Sequence, residues 1–253
     1  MANFLKSITK IFTRRRNRQL ACTMHLSDPN HVHTDACFVE IAALSVIELF
    51  QSQGCKSCPP ALPTIHKAID NATNSLLLTY DVTYWDNADW KDTFGRSAWD
   101  ARQRAYVTKW GRTGIFTPQV VVDGVADGVG ARQGEVSDII ARARDMGNQM
   151  AWSIGIDRFG EELFIKSDRS EAETHDIVVV SYDPRSQIVK VGKGTNKGKK
   201  MPYRNLVSDV QKIGEWRGGE VKVELPQFGQ DKMERVVLVQ GQQGGPVVSA
   251  LKV

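Results

Sequence analysis

The segment "SVIELFQSQGCKSCPPALP" (residues 45–63) decides the fold, because it joins an apolar run to two cysteines three residues apart. The apolar run, which begins at residue 41, predicts a strand buried on both faces. A helix is predicted from Pro59 to about Asn71, and prolines fit the first turn of a helix, where backbone N–H groups have no intrahelical acceptor. The two cysteines therefore stand between a buried strand and a helix.

By itself the C-x-x-C pair leaves a redox pair, part of a metal site and two buried thiols open. In a chain without a secretion signal the spacing favours redox or metal chemistry. A Cys₄ zinc site would need a second C-x-x-C, and the sequence has none. A thiol at a helix N-terminus has its anion stabilised by backbone N–H groups. We therefore predict Cys55 as the nucleophile and Cys58 as the resolving thiol, supported by the intervening Lys56 and Ser57.

Further along, the sequence predicts a second buried strand (residues 75–82), a helix (97–111), two short strands around the Asp123-Gly124 turn, and a helix (134–148). The order is β-α-β-α-β-β-α. It predicts an α/β fold in which the first two strands are parallel and the last two antiparallel, with helices on both faces of a mixed sheet.

After residue 150 short strand-like runs recur with turn residues between them, which predicts an antiparallel β-rich domain. One segment there, residues 203–214, has apolar residues at helical spacing and predicts a helix. The predicted organisation is a basic tail and Cys/His-containing linker (1–40), a first α/β domain (41–149) and the β-rich domain (150–253).

Thr117-Pro118 precedes the first of the two short strands, "QVVVDG". With a cis peptide bond, Thr117 would turn its backbone toward the cysteine sulfurs and could hydrogen-bond an extended substrate there. The proline would also hinder metal capture by the dithiol. We predict a substrate groove formed by Thr117 and Pro118.

These motifs resemble the thioredoxin superfamily: "CKSC" after the first strand, Pro63 five residues beyond the second cysteine, and Thr117-Pro118 before a strand. More closely, "VIELFQSQGCKSCPPA", "YDVTYWDNADWKDTFGRSAWDARQRAY", "TPQVVVDG" and "GTNKGKKMPYRNLV" resemble the DUF1223 proteins, over roughly residues 44–252. The resemblance implies a thioredoxin-like fold for residues 41–149 and, by analogy, thiol–disulfide chemistry. Gly54 stands where thioredoxins have a tryptophan, and Lys56-Ser57 replaces their Gly-Pro.

Further site residues follow from position along the chain. Glu48 is the nearest match, with a one-residue offset, to the buried acid that passes a proton to the resolving cysteine; solvation or pairing with a base is the alternative. Tyr84, Trp85 and Asp86 follow the second strand and are predicted to contact substrate, although packing against the sheet is an alternative for the aromatic rings.

The basic character of the chain belongs to its first residues. Six lysines and arginines before residue 19 contribute +6 to a net charge of +4, so the rest of the chain carries −2. Residues 4–18 place apolar and basic residues on opposite helix faces, which fits a mitochondrial presequence, peripheral contact with an anionic membrane, or a disordered tail. We predict an intracellular protein, cytoplasmic or mitochondrial.

Residues 22–37 hold weaker metal-ligand candidates, whose spacing fits no standard zinc finger; they are Cys22, His25, His31, His33 and Cys37. The lysine-rich stretch 192–200 fails the spacing of a phosphate-binding loop and predicts a basic hairpin loop. Because no aromatic residues are interleaved with these bases, no nucleic-acid partner is predicted.

The sequence predicts a thiol–disulfide oxidoreductase without a cofactor, whose partners are protein or small-molecule thiols and disulfides. Two alternatives stay open: a non-catalytic interaction module with a static disulfide, and a metal-binding protein that combines Cys55 and Cys58 with the 22–37 cluster.

Overall fold

The structure, a computed structural model, describes residues 19–20, 38–39, 44–149, 154–167, 173–229 and 232–253. The chain divides into residues 1–42, where β1 (Gln19–Leu20) pairs antiparallel with β2 (Phe38–Val39), and residues 43–253. The second unit contains, in chain order, β3 (Ser45–Gln51), α1 (Cys58–Asp70), β4 (Ser75–Asp81), α2 (Ser97–Lys109), β5 (Gln119–Val122), β6 (Ala126–Gly128), α3 (Glu135–Gln149), β7 (Ile154–Phe159), β8 (Glu162–Ser167), β9 (His175–Asp183), β10 (Gln187–Lys190), β11 (Lys200–Tyr203), β12 (Leu206–Trp216), β13 (Val221–Glu224), β14 (Glu234–Gly241) and β15 (Val247–Lys252).

An eight-stranded mixed sheet in the order β15-β14-β9-β12-β4-β3-β5-β6 organises this unit. Strand β3 pairs in parallel with β4 and antiparallel with β5, and β5 pairs antiparallel with β6. The α/β prediction and the order of elements between residues 45 and 149 are therefore confirmed. A three-stranded antiparallel sheet, β13-β8-β7, and the β10-β11 hairpin complete the strands of this unit in the described residues.

The side chains of β3 alternate between two cores, and all of its residues are buried. Ile47 and Leu49 enter a core that contains both cysteines and the apolar faces of α1 and α3. Val46 and Phe50 enter a core on the opposite face, which α2 covers. A helix therefore lies against each face of β3.

The sheet continues across the boundary predicted at residue 150. Leu206 of β12 pairs with Thr79 of β4, and the Asn205 side chain donates to the Leu77 carbonyl at 2.8 Å. Strands of the predicted β-rich region are thus hydrogen-bonded neighbours of strands from residues 41–149. Antiparallel pairing dominates beyond residue 150, as predicted; the division into two domains stays a prediction.

The helix predicted over residues 203–214 is wrong, because this segment ends β11 and forms most of β12. Strand β12 has register shifts against β9 between Val207 and Asp209 and between Lys212 and Gly214. Each shift interrupts the period-2 alternation of a strand. The apolar residues consequently fall at spacings of three and four, which a sequence pattern alone assigns to a helix.

A buried polar network joins three elements on the α2 side of the sheet. Glu48 of β3 is 1% exposed and forms an ion pair with Arg102 of α2 at 2.6 Å, and the Tyr106 hydroxyl donates to the same carboxylate. Gln240 of β14 accepts from Arg102 at 3.0 Å and donates to the Tyr106 hydroxyl at 2.9 Å. The network connects the strand before the cysteines with residues nearly 200 positions further along the chain.

No helix within the part of the chain that the structure describes is long and apolar enough to cross a membrane.

We predict that Arg102→Leu lowers the free energy of unfolding by about 3–5 kcal/mol, because it leaves the Glu48 carboxylate buried without its cation. Denaturant unfolding measures this loss. Lys166→Met is the matched control, since it breaks an exposed ion pair with Asp157 (3.6 Å) and is expected to change stability little. An equal decrease in the free energy of unfolding of the two variants would contradict the prediction that the buried Glu48–Arg102 pair matters more than an exposed one.

Burial of His66 on α1 predicts a pH dependence of stability. Burial, aided by Arg204 and opposed by Asp70, lowers the pKa of His66 to about 4. In the unfolded chain the pKa is about 6.5, so the unfolded state binds more protons between these values. The contribution of neutral His66 to the free energy of unfolding is therefore complete above pH 6.5. As the pH falls toward 4, the free energy of unfolding decreases by up to about 3 kcal/mol.

The measurement is the free energy of unfolding of wild type and His66→Gln at pH 7, 6, 5 and 4. The advantage of wild type over the variant should shrink as the pH falls. The comparison with a variant is needed because burial raises the pKa of Asp123 to about 6, which gives an opposite slope over the same range. A constant difference between the two proteins would contradict the prediction.

Candidate functional site

The two cysteines lie where the chain leaves the sheet and enters α1. Strand β3 ends at Gln51, and α1 begins at Cys58 with prolines in its first turn. The Cys55 and Cys58 sulfurs are at disulfide distance and their Cα atoms are 5.5 Å apart. Both residues are fully buried. The geometry is compatible with a redox C-x-x-C pair.

A backbone N–H, a hydroxyl group and a carbonyl oxygen lie close to the Cys55 sulfur. The backbone N–H of Cys58, at the N-terminus of α1, donates to it at 3.1 Å, and the Ser57 hydroxyl lies 3.3 Å from it. The Thr117 carbonyl oxygen lies 3.4 Å away and also accepts from the Ser57 hydroxyl at 3.1 Å. The Cys58 N–H favours a thiolate at Cys55 once the pair is reduced, whereas the Thr117 carbonyl is an acceptor and favours the protonated thiol.

Thr117 also connects the cysteines to the segment after β4. Its peptide bond to Pro118 is cis, and its hydroxyl accepts a 2.8 Å hydrogen bond from the Trp85 indole. A Cβ built on Gly54 would lie 2.7 Å from the Trp85 Cβ, so the tryptophan extends from beside Gly54 to Thr117. Trp85 therefore spans the two segments that flank Cys55, and 43% of its surface is exposed.

Other predicted residues have different surroundings. Glu48 projects into the α2-side core and pairs with Arg102, while the cysteines lie in the core on the other face of β3. Asp86 accepts from the backbone N–H of Asp92 at 2.9 Å. Lys56 is exposed. The structure brings together Cys55, Cys58, Ser57, Thr117 and Trp85, with Tyr84 stacked obliquely on Trp85 at 6.0 Å and Pro118 buried next to Thr117.

Asn196 is a site residue that the sequence did not reveal. Its fully buried amide donates to the carbonyl oxygens of Cys55 at 2.7 Å and Gln53 at 2.9 Å. The Lys199 ammonium donates to its amide oxygen at 3.0 Å. Asn196 stands in the lysine-rich loop between β10 and β11, and its neighbours in the sequence gave no sign of burial. It holds the backbone of Cys55 in place.

Two buried carboxyl groups lie beneath the segment that leads to Cys55. Asp92 accepts from the Ser52 hydroxyl at 3.0 Å and from the Gln53 backbone at 2.6 Å. Asp81, at the end of β4, accepts from the Tyr203 hydroxyl at 3.0 Å. Burial, together with the neighbouring charge of Asp92, raises the pKa of Asp81 well above the usual carboxyl range. Asp81 is therefore easier to protonate than an exposed carboxyl group.

The weaker metal-ligand candidates of residues 22–37 and the amphipathic segment 4–18 lie outside the described residues. In the described ranges no group of three or more His, Cys, Asp or Glu side chains is arranged to hold a metal ion.

The comparisons with known proteins agree with the resemblance to the DUF1223 proteins. The family model "Protein of unknown function (DUF1223)" matches residues 46–240. The crystal structure of protein AGR_C_4864 from Agrobacterium tumefaciens is similar with 30% identity and a TM-score of 0.65, over 85% of this chain and 96% of that one. HBP35 of Porphyromonas gingivalis shares 14% identity at a TM-score of 0.54, over 83% and 74% of the two chains, which is a likeness of fold alone. A search of curated proteins finds no match.

We predict that Asn196→Ala lowers the free energy of unfolding by about 1–3 kcal/mol, because the Gln53 and Cys55 carbonyls lose their buried donor. The same variant should speed alkylation of reduced Cys55, since the backbone of Cys55 is no longer held. Denaturant unfolding and mass spectrometry after timed alkylation measure the two effects. Lys199→Met, which leaves both carbonyl contacts intact, is the control, and an equal response of the two variants would contradict the prediction.

Proposed function

Because this chain belongs to the DUF1223 family, whose function is unknown, we propose a function from its geometry: thiol–disulfide exchange at Cys55 and Cys58 on a thioredoxin-like fold. The observation that carries the proposal is the position of the Cys55 sulfur, 3.1 Å from the N-terminal backbone N–H of α1. A helix N-terminus is one of the settings that lower the pKa of a reactive cysteine. The proposed partners are protein or small-molecule thiols and disulfides.

The exchange proceeds in two steps that balance without a cofactor. The Cys55 thiolate attacks one sulfur of a substrate disulfide, forms a mixed disulfide and releases the first substrate thiolate. The Cys58 thiol then loses its proton and attacks the Cys55 sulfur, which forms the Cys55–Cys58 disulfide and releases the second substrate thiolate. The substrate gains two electrons and the cysteine pair loses two; the reverse sequence oxidises a substrate dithiol.

The thioredoxin-like assignment is supported by the β-α-β-α-β-β-α order and by the place of the cysteines between β3 and α1. The Thr117 carbonyl, 3.4 Å from the Cys55 sulfur, adds support because it comes from the segment before β5, as the predicted substrate groove requires. Asp81, whose pKa burial raises, lies at the carboxyl end of β4, the strand next to β3.

Access to Cys55 requires movement, because the residue is fully buried. Trp85 is the group to displace: it spans from Gly54 to Thr117, and its indole is held there by the hydrogen bond to the Thr117 hydroxyl. We propose that rotation of this partly exposed side chain opens a path to the sulfur. Tyr84, packed on Trp85, and Asp86 belong to the same segment and are proposed to meet the substrate with it.

The burial of both cysteines also supports a second candidate, a non-catalytic module whose disulfide is static. In that case the pair would stabilise the start of α1 and exchange with nothing. The two candidates differ in whether the reduced Cys55 is nucleophilic.

The test uses the full chain with Cys22→Ala and Cys37→Ala, so that the two remaining thiols are those of the site. In this background Cys58→Ser should form a stable mixed disulfide at Cys55 with bis(2-hydroxyethyl) disulfide, seen as one adduct by mass spectrometry. Cys55→Ser, which keeps Cys58, should react at least about tenfold more slowly, because only Cys55 receives the helix N-terminal donors.

The unmutated pair should also pass reversibly between dithiol and disulfide in redox buffers. A pair that stays oxidised in excess dithiothreitol, or a Cys58→Ser variant that forms no adduct, would leave the static module as the function. Reaction of both single-cysteine variants at one rate would remove the assignment of Cys55 as nucleophile.

A further inference from the structure

We propose that the loop between β10 and β11 makes Cys55 selective for disulfides that carry carboxylates close to their sulfur atoms. The inference rests on the proposed thiol–disulfide exchange and names the class of substrate for it. Residues 191–200 are attached to the cysteine segment, carry positive charge without ion-pair partners, and lie close to Cys55 along the chain path.

The loop is attached to the cysteine segment at two places. Asn196 donates to the carbonyl oxygens of Gln53 and Cys55. Gly194 lies against the Trp90 ring, with a built Cβ at 3.7 Å, and the same ring lies 3.0 Å from a Cβ built on Gly54. The loop is therefore a wall of the site and not a free surface hairpin.

Backbone hydrogen bonds fix the shape of the loop. The N–H of Gly198 donates to the Val191 carbonyl at 2.8 Å, and the N–H of Lys199 donates to the Asn196 carbonyl at 2.9 Å. The Asn196 side chain is buried against the cysteine segment, the Lys199 ammonium bonds to it, and residues 192–195 and 197–200 are exposed. The lysines of the loop consequently have defined starting points near Cys55.

The charge of this wall is positive and uncompensated. Residues 184–208 contain no aspartate or glutamate. We call the exposed lysines of this wall and of the cysteine segment the lysine rim: Lys56, Lys193, Lys197, Lys199 and Lys200. Within the parts of the chain that the structure describes, none of them takes part in an ion pair.

Acidic residues near the site do not cancel the rim. Asp92 is buried against Ser52 and Gln53, and Asp86 is occupied by the Asp92 backbone. Asp89 is exposed in the turn before Trp90. The five lysines outnumber the three aspartates Asp86, Asp89 and Asp92, and a carboxylate-bearing substrate is attracted.

The rim is close enough to Cys55 to act on a bound disulfide. Consecutive Cα atoms are about 3.8 Å apart, so the Cα atom of Lys197 is about 4 Å from that of Asn196 and the Cα atom of Lys193 is at most about 12 Å from it. The Asn196 side chain itself touches the Cys55 carbonyl. Lysine side chains are long and flexible, so the ammonium groups of Lys193 and Lys197 can approach carboxylates on a disulfide bound at Cys55, and such exposed charges interact over about one Debye length, roughly 8–10 Å.

The test compares rates of mixed-disulfide formation at Cys55 in the Cys58→Ser protein with Cys22→Ala and Cys37→Ala. The probes are glutathione disulfide, bis(2-hydroxyethyl) disulfide and cystamine, which are anionic, neutral and cationic. The disulfide dimer of the peptide acetyl-EECG-amide, with acetyl-QQCG-amide as its uncharged counterpart, adds a peptide arm. At about 20 mM salt the anionic small disulfide should react about tenfold faster than cystamine, and 0.5 M salt should remove most of this ratio.

Lys193→Gln with Lys197→Gln should lower the anionic-to-cationic rate ratio at least about threefold. Lys67→Gln with Lys109→Gln is the matched control: it removes the same charge from exposed lysines in the last turns of α1 and α2, away from the cysteines, and should keep the wild-type ratio. If the acidic peptide disulfide reacts faster than glutathione disulfide, the carboxylates come from a peptide substrate. If the two rates are equal, the carboxylates of a small thiol are sufficient. Both outcomes support the inference.

The inference would be overturned by an anionic-to-cationic rate ratio near one in the protein with all its lysines. It would also be overturned if both double variants lowered this ratio equally. In either case the proposed exchange would stand. Failure of every disulfide to react would instead contradict the proposed function. The two failures are thus distinguishable in one set of measurements.

Discussion

Burial of β3 on both faces is the constraint on which the rest of the molecule depends. A strand in this position needs a hydrogen-bonded neighbour at each edge and a layer of side chains on each face. Strands β4 and β5 supply the edges, and the helices α1, α2 and α3 supply the layers. Parallel pairing with β4 requires a crossover, and α1 is that crossover, so the cysteines at its beginning are placed by the sheet.

The one charged residue of this strand shows how a buried strand tolerates polarity. Glu48 occurs on the face opposite the cysteines, and its carboxylate is enclosed by Arg102, Tyr106 and Gln240. Burial of an ion pair is costly unless its remaining hydrogen-bonding positions are filled, and here a glutamine and a tyrosine fill them. Because Gln240 belongs to β14, the network also connects the two regions that the sequence separates at residue 150.

The sequence predicted those parts of the fold that depend on local pattern. The apolar runs of β3 and β4, the proline-started α1 and the Asp123-Gly124 turn are all where local rules put them. Strand β12 was missed because its two register shifts imitate helical spacing. The pairing of β12 with β4 was also out of reach, since no local pattern states which strands become neighbours over more than a hundred residues.

The residues of the site likewise fall into those that local motifs predict and those that they do not. Cys55, Cys58, Ser57 and Thr117 belong to recognisable motifs, and the structure brings them together. A one-residue sequence offset suggests the cysteine side for Glu48, although side chains one residue apart in a strand point to opposite faces. The alternative, pairing with a base, corresponds to its ion pair with Arg102. Asn196 was missed because its role depends on the fold of a loop 141 residues beyond Cys55, and such a contact leaves no trace in composition.

The contact between Asn196 and Cys55 has a consequence for energetics. The carbonyl that accepts a hydrogen bond from Asn196 belongs to Cys55, so in the proposed exchange the stability of the β10–β11 loop and the reduction potential of the cysteine pair form a thermodynamic cycle. If the loop stabilises the disulfide form more than the dithiol form, or the reverse, the difference in free energy shifts the reduction potential of the cysteine pair. A ligand that orders or loosens this loop would therefore tune the electron affinity of the cysteines without touching either sulfur.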